Sequence, residues 1–128
     1  MMKLRWKKKT NPTHNVDLYL GSIKEDSKEE FSYEDLVREI GCFQDKLENQ
    51  IPVCITSVEF VAGSRYREKG WKISTINYPR IGNRPQDISR FMVDLGLLLL
   101  FKFKQNRITV VGETETVMLE PIKKQKTS

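Results

Sequence analysis

Val16–Ile23 (VDLYLGSI) decides the architecture, because Val16, Leu18 and Leu20 alternate with Asp17 and Tyr19. That alternation makes the segment a strand with one buried face and Tyr19 on the other. A charged loop follows, KEDSKEE from Lys24 to Glu30. Ser32 then offers a helix N-cap with Asp35 three residues on, and the spacing predicts a helix over 33–48. Leu36, Ile40, Phe43 and Leu47 share its apolar stripe, with Tyr33 at the edge, while Asp35, Arg38, Cys42 and Lys46 lie opposite. Pro52 ends this region, and the β-branched run Val53–Val61 (VCITSVEFV), apolar on both faces, predicts an inner strand. Ala62–Gly70 (AGSRYREKG) reads as a long hairpin loop and Trp71–Tyr78 (WKISTINY) as the next strand. The phase of that strand changes between Ile73 and Ile76, which predicts a bulge or burial on both faces.

Tyr78–Pro85 (YPRIGNRP) is a turn-rich link, and Pro85 suits the first turn of a second helix running to about Phe103. Asn106 breaks that helix, Arg107–Val111 is a strand, and a turn at Gly112–Glu113 leads into a short extra strand, Thr114–Leu119. The order β-α-β-β-α-β, with the extra C-terminal strand, predicts an α+β fold of the ferredoxin-like two-layer sandwich type.

With 128 residues, 38% apolar and 30% charged, there is material for one core. The charge divides the chain. Residues 1–13 carry Lys3, Arg5, Lys7, Lys8 and Lys9 and no acid, and residues 121–128 carry Lys123, Lys124 and Lys126 and no acid. The remainder holds 14 basic residues against 17 acidic ones, so a mildly acidic domain over 14–120 is expected between two basic tails. Such tails attract nucleic acid or other polyanions. The longest apolar run, Leu97–Phe101, is far short of the about 20 residues needed to span a bilayer. No apolar stretch follows the N-terminal basic cluster, so no secretory signal is expected. Two cysteines, Cys42 and Cys54, without CxxC spacing do not make a disulfide scaffold. The expected location is cytoplasmic or nuclear, not secreted, with no membrane contact.

The second helix carries more apolar surface than one sheet face can cover. Ile88, Phe91, Met92, Leu95, Leu98 and Leu99 make a core stripe, and Val93, Leu97 and Leu100 make another nearly opposite, flanked by Phe101. Either the Trp6 or Ile122 region folds over the second stripe, or another protein or a second copy does.

Catalytic chemistry is sparsely represented. His14 is the one histidine, placed just before the first strand, where an incidental polar residue is expected rather than a Ser-His-acid arrangement. Two cysteines and one histidine fit no zinc spacing. Glu25, Asp26, Glu29 and Glu30 alternate with Lys24 and Lys28 and read as a solvated loop rather than a metal site. No glycine-rich phosphate loop exists. Cys42 lies on the solvent face between Arg38 and Lys46, whereas Cys54 belongs to an apolar strand and is expected in the core. No metal and no cofactor are expected.

Leu18–Ile23 (LYLGSI) resembles the first signature strand of the RNA-recognition motif family, with Tyr19 in the base-stacking position. Lys69–Ile76 (KGWKISTI) matches the second signature at Lys69, Gly70 and Trp71 and departs from it at Lys72, Ile73 and Ile76. That resemblance implies nucleic-acid binding on the sheet face around Tyr19 and Trp71. Apart from it, Arg65, Tyr66, Arg67 and Trp71, together with Tyr78, Arg80 and Arg84 in the link, set arginines beside aromatics. That combination suits a protein-binding loop. The expectation from sequence is a non-enzymatic binding or assembly protein, an oligomer or small subunit of a complex. It would touch protein through Val93, Leu97, Leu100 and Phe101 and a polyanion through its tails. An RNA- or DNA-binding domain is the first alternative, and an enzyme using carboxylates or Cys42 is the other.

Overall fold

The computed structural model describes residues 4–23, 29–48 and 50–122. Lys3, Lys123, Lys124 and Lys126 of the tails, and Lys24, Glu25, Asp26 and Lys28 of the acidic loop, lie outside the described residues. In chain order the elements are β1 (Asn15–Gly21), α1 (Tyr33–Asp45), β2 (Cys54–Val61), β3 (Arg67–Ile76), α2 (Pro85–Lys102), β4 (Ile108–Val111) and β5 (Thr116–Leu119). The protein is α+β, with two helices and one five-stranded antiparallel sheet ordered β2-β3-β1-β4-β5.

The alternation of β1 is realised as read. Val16, Leu18 and Leu20 are at most 1% exposed and face the helices, while Asp17 and Tyr19 face away from them. Register carries this division across the sheet: Leu18 sits between Ile73 of β3 and Val110 of β4. α1 starts where Ser32 and Asp35 form a reciprocal capping box, which satisfies amide groups left free at a helix start. Its Leu36 and Ile40 are buried, and Phe43 and Leu47 pack against the same core.

At Gly96, α2 packs directly on the sheet. A Cβ there would come within 2.9 Å of Leu119 and 3.3 Å of Leu18. The helix thus gives up about 1 kcal/mol of helix propensity at this position for close packing on β1 and β5.

Several expectations are corrected. β2 is an edge strand, paired only with β3, and none of its residues is buried. Cys54 is therefore exposed, as is Cys42, and both thiols are free. The hairpin loop is shorter than expected because β3 begins at Arg67. β3 runs in continuous register without a bulge, burying Ile73 and Thr75 and exposing Ile76. Trp71 is on the helix side, 5.1 Å from Phe31 between ring centres, not beside Tyr19. Leu100 is 2% exposed and belongs to the core, since the buried arc of α2 is wider than one stripe. Val93 packs against the core as well. Only Leu97 and Phe101 of the outer stripe are exposed, and neither Trp6 nor Ile122 covers them, being 82% and 98% exposed themselves. No helix among the described residues is long and apolar enough to cross a membrane.

Gly21 of β1 faces Gly70 of β3. A Cβ on Gly70 would overlap the Leu20 carbonyl oxygen and the Phe60 ring, so only glycine fits. Gly70→Ala is expected to lower unfolding stability by about 1–3 kcal/mol, read from the urea midpoint. An unchanged midpoint would show that the strands have room to part.

Candidate active site

The helices cover one face of the sheet and leave the other open. On the open face, where β1 ends, is a cavity of about 550 Å³, a size that suits a small-molecule ligand. Its lining comes from four places: Tyr19, Leu20, Gly21 and Ile23 at the end of β1; Phe60 and Ala62 at the end of β2; Tyr66 and Glu68 at the hairpin; and Gln105, Asn106, Arg107 and Thr109 leading into β4.

The facing glycines are what open it. Because Gly70 has no side chain, the Phe60 ring folds over β3 and meets Tyr19 edge to face, with ring centres 6.5 Å apart. Because Gly21 has none, the carboxyl group of Glu68 lies over the end of β1, in the space a Cβ would take. Glu68 is fixed there at both oxygens. Oε2 accepts from the backbone N–H of Ile23 at 3.3 Å, and Oε1 accepts from the Tyr66 hydroxyl at 2.5 Å. Tyr66 is set by the hairpin, where its carbonyl accepts from Ala62 N–H at 3.2 Å and Gly63 takes a positive φ of 77°.

The Glu68 hydrogen bond holds the Tyr66 hydroxyl above the usual tyrosine range, with partial burial and the carboxylate charge adding to it and Arg107 opposing. A carboxylate, a guanidinium and three aromatic rings thus share one cavity. The arrangement can hold a cation against Glu68 and the ring faces, and a flat heterocycle against the rings.

Two other places were candidates. A smaller cavity of about 400 Å³ beside α1, lined by Val37, Ile40, Gln44, Val53, Ile55 and Arg80 among others, contains no acid or histidine. At the opposite end of β1, His14 is not incidental as expected: Nε2 lies 2.8 Å from Ser89 Oγ, and Nδ1 lies 3.7 Å from the Glu113 carboxylate. That resembles a Ser-His-acid line, yet the three residues line neither cavity. It joins the start of β1 to α2 and to the β4–β5 turn. No group of three or more metal-ligating side chains occurs among the described residues.

Of the residues singled out in sequence, the structure brings Tyr19 and Tyr66 into the cavity. Arg67 instead pairs with Glu59 on β2, and Arg84 pairs with Asp87 in the first turn of α2. Arg65, Arg5, Lys7, Lys8 and Lys9 are exposed, Arg80 lines the smaller cavity, and the Tyr78 carbonyl accepts from Asn11. Glu68, Phe60, Gln105 and Arg107 were missed. Tyr66 and Glu68 are two apart, so period-two reading of Tyr66–Lys72 as strand would have placed both on one face with Lys72.

No protein-family model and no curated protein sequence matches the chain. Among solved structures, phage SAM lyase in its apo state is similar with a TM-score of 0.78 at 14% identity, covering 94% of this chain and 100% of that one. Phage SAM lyase in complex with S-methyl-5'-thioadenosine is similar with a TM-score of 0.69 at 15% identity, covering 92% and 97%. The likeness is one of fold, and it corrects the functional expectation. The solved structures that share this fold are of an enzyme, one of them with a small-molecule ligand, which points away from the expected non-enzymatic binding or assembly role. Nucleic-acid binding on the sheet face also loses its basis, since Trp71 is turned to the helices.

The Tyr66–Glu68 contact makes a pH prediction. A folded-state pKa raised above the unfolded value of about 10 gives stability that is present below that pH and lost as pH rises through the folded pKa. Ultraviolet titration of tyrosinate is expected to show one late-ionising tyrosine that Tyr66→Phe removes and Glu68→Gln shifts back toward the others. If the tyrosine lost in Tyr66→Phe titrates with the others, or Glu68→Gln leaves the wild-type curve unchanged, the contact is refuted.

Proposed function

We propose that the chain is an enzyme that cleaves S-adenosylmethionine in the cavity at the end of β1, releasing S-methyl-5'-thioadenosine. The observation that carries this is Glu68, held at both oxygens beside Tyr19, Phe60 and Tyr66 in a cavity of nucleoside size. The fold supports it, since similar solved structures are SAM lyase and one holds this thioether. The chemistry fits as well. The substrate carries a fixed positive charge on sulfur, which a carboxylate and aromatic faces attract. Its adenine ring is flat and stacks on Tyr or Phe.

In the proposed reaction the substrate's own carboxylate oxygen attacks the carbon bound to sulfur, so that the carbon–oxygen bond of a five-membered lactone forms as the carbon–sulfur bond breaks, the electron pair goes to sulfur, and a neutral thioether leaves. Glu68 holds and orients the sulfonium, and Tyr66 keeps Glu68 in place. The same reading takes β4-β1-β3-β2 as a ferredoxin-like unit extended by β5, an assignment that rests on strand order.

Chromatography of S-adenosylmethionine incubated with the purified protein is expected to show S-methyl-5'-thioadenosine, and Glu68→Gln should lower kcat/KM about 100-fold or more. No thioether from the wild-type protein, or full activity in Glu68→Gln, would sink the proposal.

Gly21→Ala makes a sharper test of position. Its Cβ would collide only with the movable end of Glu68, so the fold should survive, with a Tm within about 5 °C of wild type. kcat/KM is expected to fall toward that of Glu68→Gln. An unchanged kcat/KM would mean that the location of Glu68 does not matter.

A further inference from the structure

Gln105 is 4% exposed and lines the Glu68 cavity. It gets there by a sharp reversal at the end of α2: Lys104 takes a left-handed φ of 48°, and the Gln105 N–H returns to the Leu100 carbonyl at 2.9 Å. Its side-chain amide is then fixed by two carbonyls. Nε2 donates to Ile23 O at 3.1 Å and to Phe103 O at 3.3 Å. Carbonyl oxygens only accept, so the opposite orientation would set Oε1 against two acceptors and is excluded. Both amide hydrogens are thereby used. Oε1 keeps its lone pairs and has no hydrogen-bond partner among the described residues.

Gln105 is part of the lining of the cavity, so this amide is placed at the cavity wall. The result is an acceptor fixed in position, in a nearly buried side chain, at a cavity whose other walls are aromatic. A ligand that dries the cavity must give this oxygen a donor or leave it unsatisfied, and an unsatisfied buried acceptor is expensive.

We propose that Gln105 is the specificity residue that reads the 6-amino group of the purine. The site would then accept 6-aminopurine thionucleosides and reject their 6-oxo counterparts. This rests on the reading of the cavity as an S-adenosylmethionine site and extends it to a choice of base. A 6-oxo purine presents an acceptor where the 6-amino group presents a donor. Against Oε1 it loses a hydrogen bond and gains a repulsion, and the amide cannot flip to adapt because Ile23 O and Phe103 O hold its other end.

The test uses the full chain and two probes, S-methyl-5'-thioadenosine and S-methyl-5'-thioinosine, titrated calorimetrically. The wild-type protein is expected to bind the amino compound at least about 10-fold more tightly. In Gln105→Met the preference should collapse to within about 3-fold, mainly through weaker binding of the amino compound. Equal binding of the two probes by wild type, or a preference that persists in Gln105→Met, overturns the proposal and leaves the reading of the cavity intact. Failure of the wild-type protein to bind either probe overturns both. The wild-type arm needs no variant to fold.

Discussion

Gly21 and Gly70 face each other across β1 and β3 and leave a bare strip of backbone on the open side of the sheet. Any side chain there would stand up from the sheet, and the carboxyl of Glu68 and the ring of Phe60 occupy the space it would need. Glycine in a strand costs conformational entropy and contributes no packing. At this pair the cost is offset by the approach of β1 to β3 and by the room it makes for two cavity side chains. The aromatic and acidic walls rest on this absence of side chains more than on any one attractive contact.

The other wall is set by the opposite face. α2 docks at Gly96 against Leu18 and Leu119, and its depth fixes where its C-terminal end lies relative to β1. Lys104 then reverses the chain, and Gln105 ties the turn to Ile23. Ile23 is also the residue whose N–H holds Glu68. One short stretch after β1 thus offers its N–H to the carboxylate and its carbonyl to the amide. Helix packing on the buried side is in this way coupled to cavity geometry on the open side.

Much of the fold was legible because it is written in local periodicity. β1 followed from strict alternation, α1 from a Ser32–Asp35 cap and a stripe, and α2 from Pro85 and its apolar run. What failed depended on tertiary context. The β-branched composition of 53–61 says strand but not edge or centre, so Cys54 was placed in the core. Trp71 is expected on the open sheet face only through the resemblance of Lys69–Ile76 to a nucleic-acid-binding signature; its pairing with Leu20 sends it to the helices. The cavity was legible only at Tyr19 and Tyr66. Glu68 falls in the segment that reads as a hairpin loop, and Gln105 just past the expected end of the second helix at Phe103. Their roles come from contacts between residues 45 and 82 positions apart, Glu68 with Ile23 and Gln105 with Ile23, which no local pattern encodes.

Charge also constrains how the proposed reaction would run in this cavity. Breaking the bond from sulfur to carbon turns a sulfonium into a neutral thioether, so attraction to Glu68 is strongest before the reaction and weakest after it. A carboxylate placed this way favours bound substrate over product and helps the thioether leave. By the same logic it stabilises the ground state more than the transition state and cannot by itself be the source of rate. The rate must come from how the aminobutyrate chain is oriented and from how little water the aromatic walls admit, since a step that extinguishes charge is favoured in a less polar medium. Tyr66 tempers the same balance. By donating to Glu68 it spreads part of the carboxylate charge, which loosens the hold on the sulfonium while keeping the carboxylate in place. In the proposed reaction the aromatic walls and the Tyr66 hydrogen bond would therefore belong to the chemistry as much as the carboxylate does.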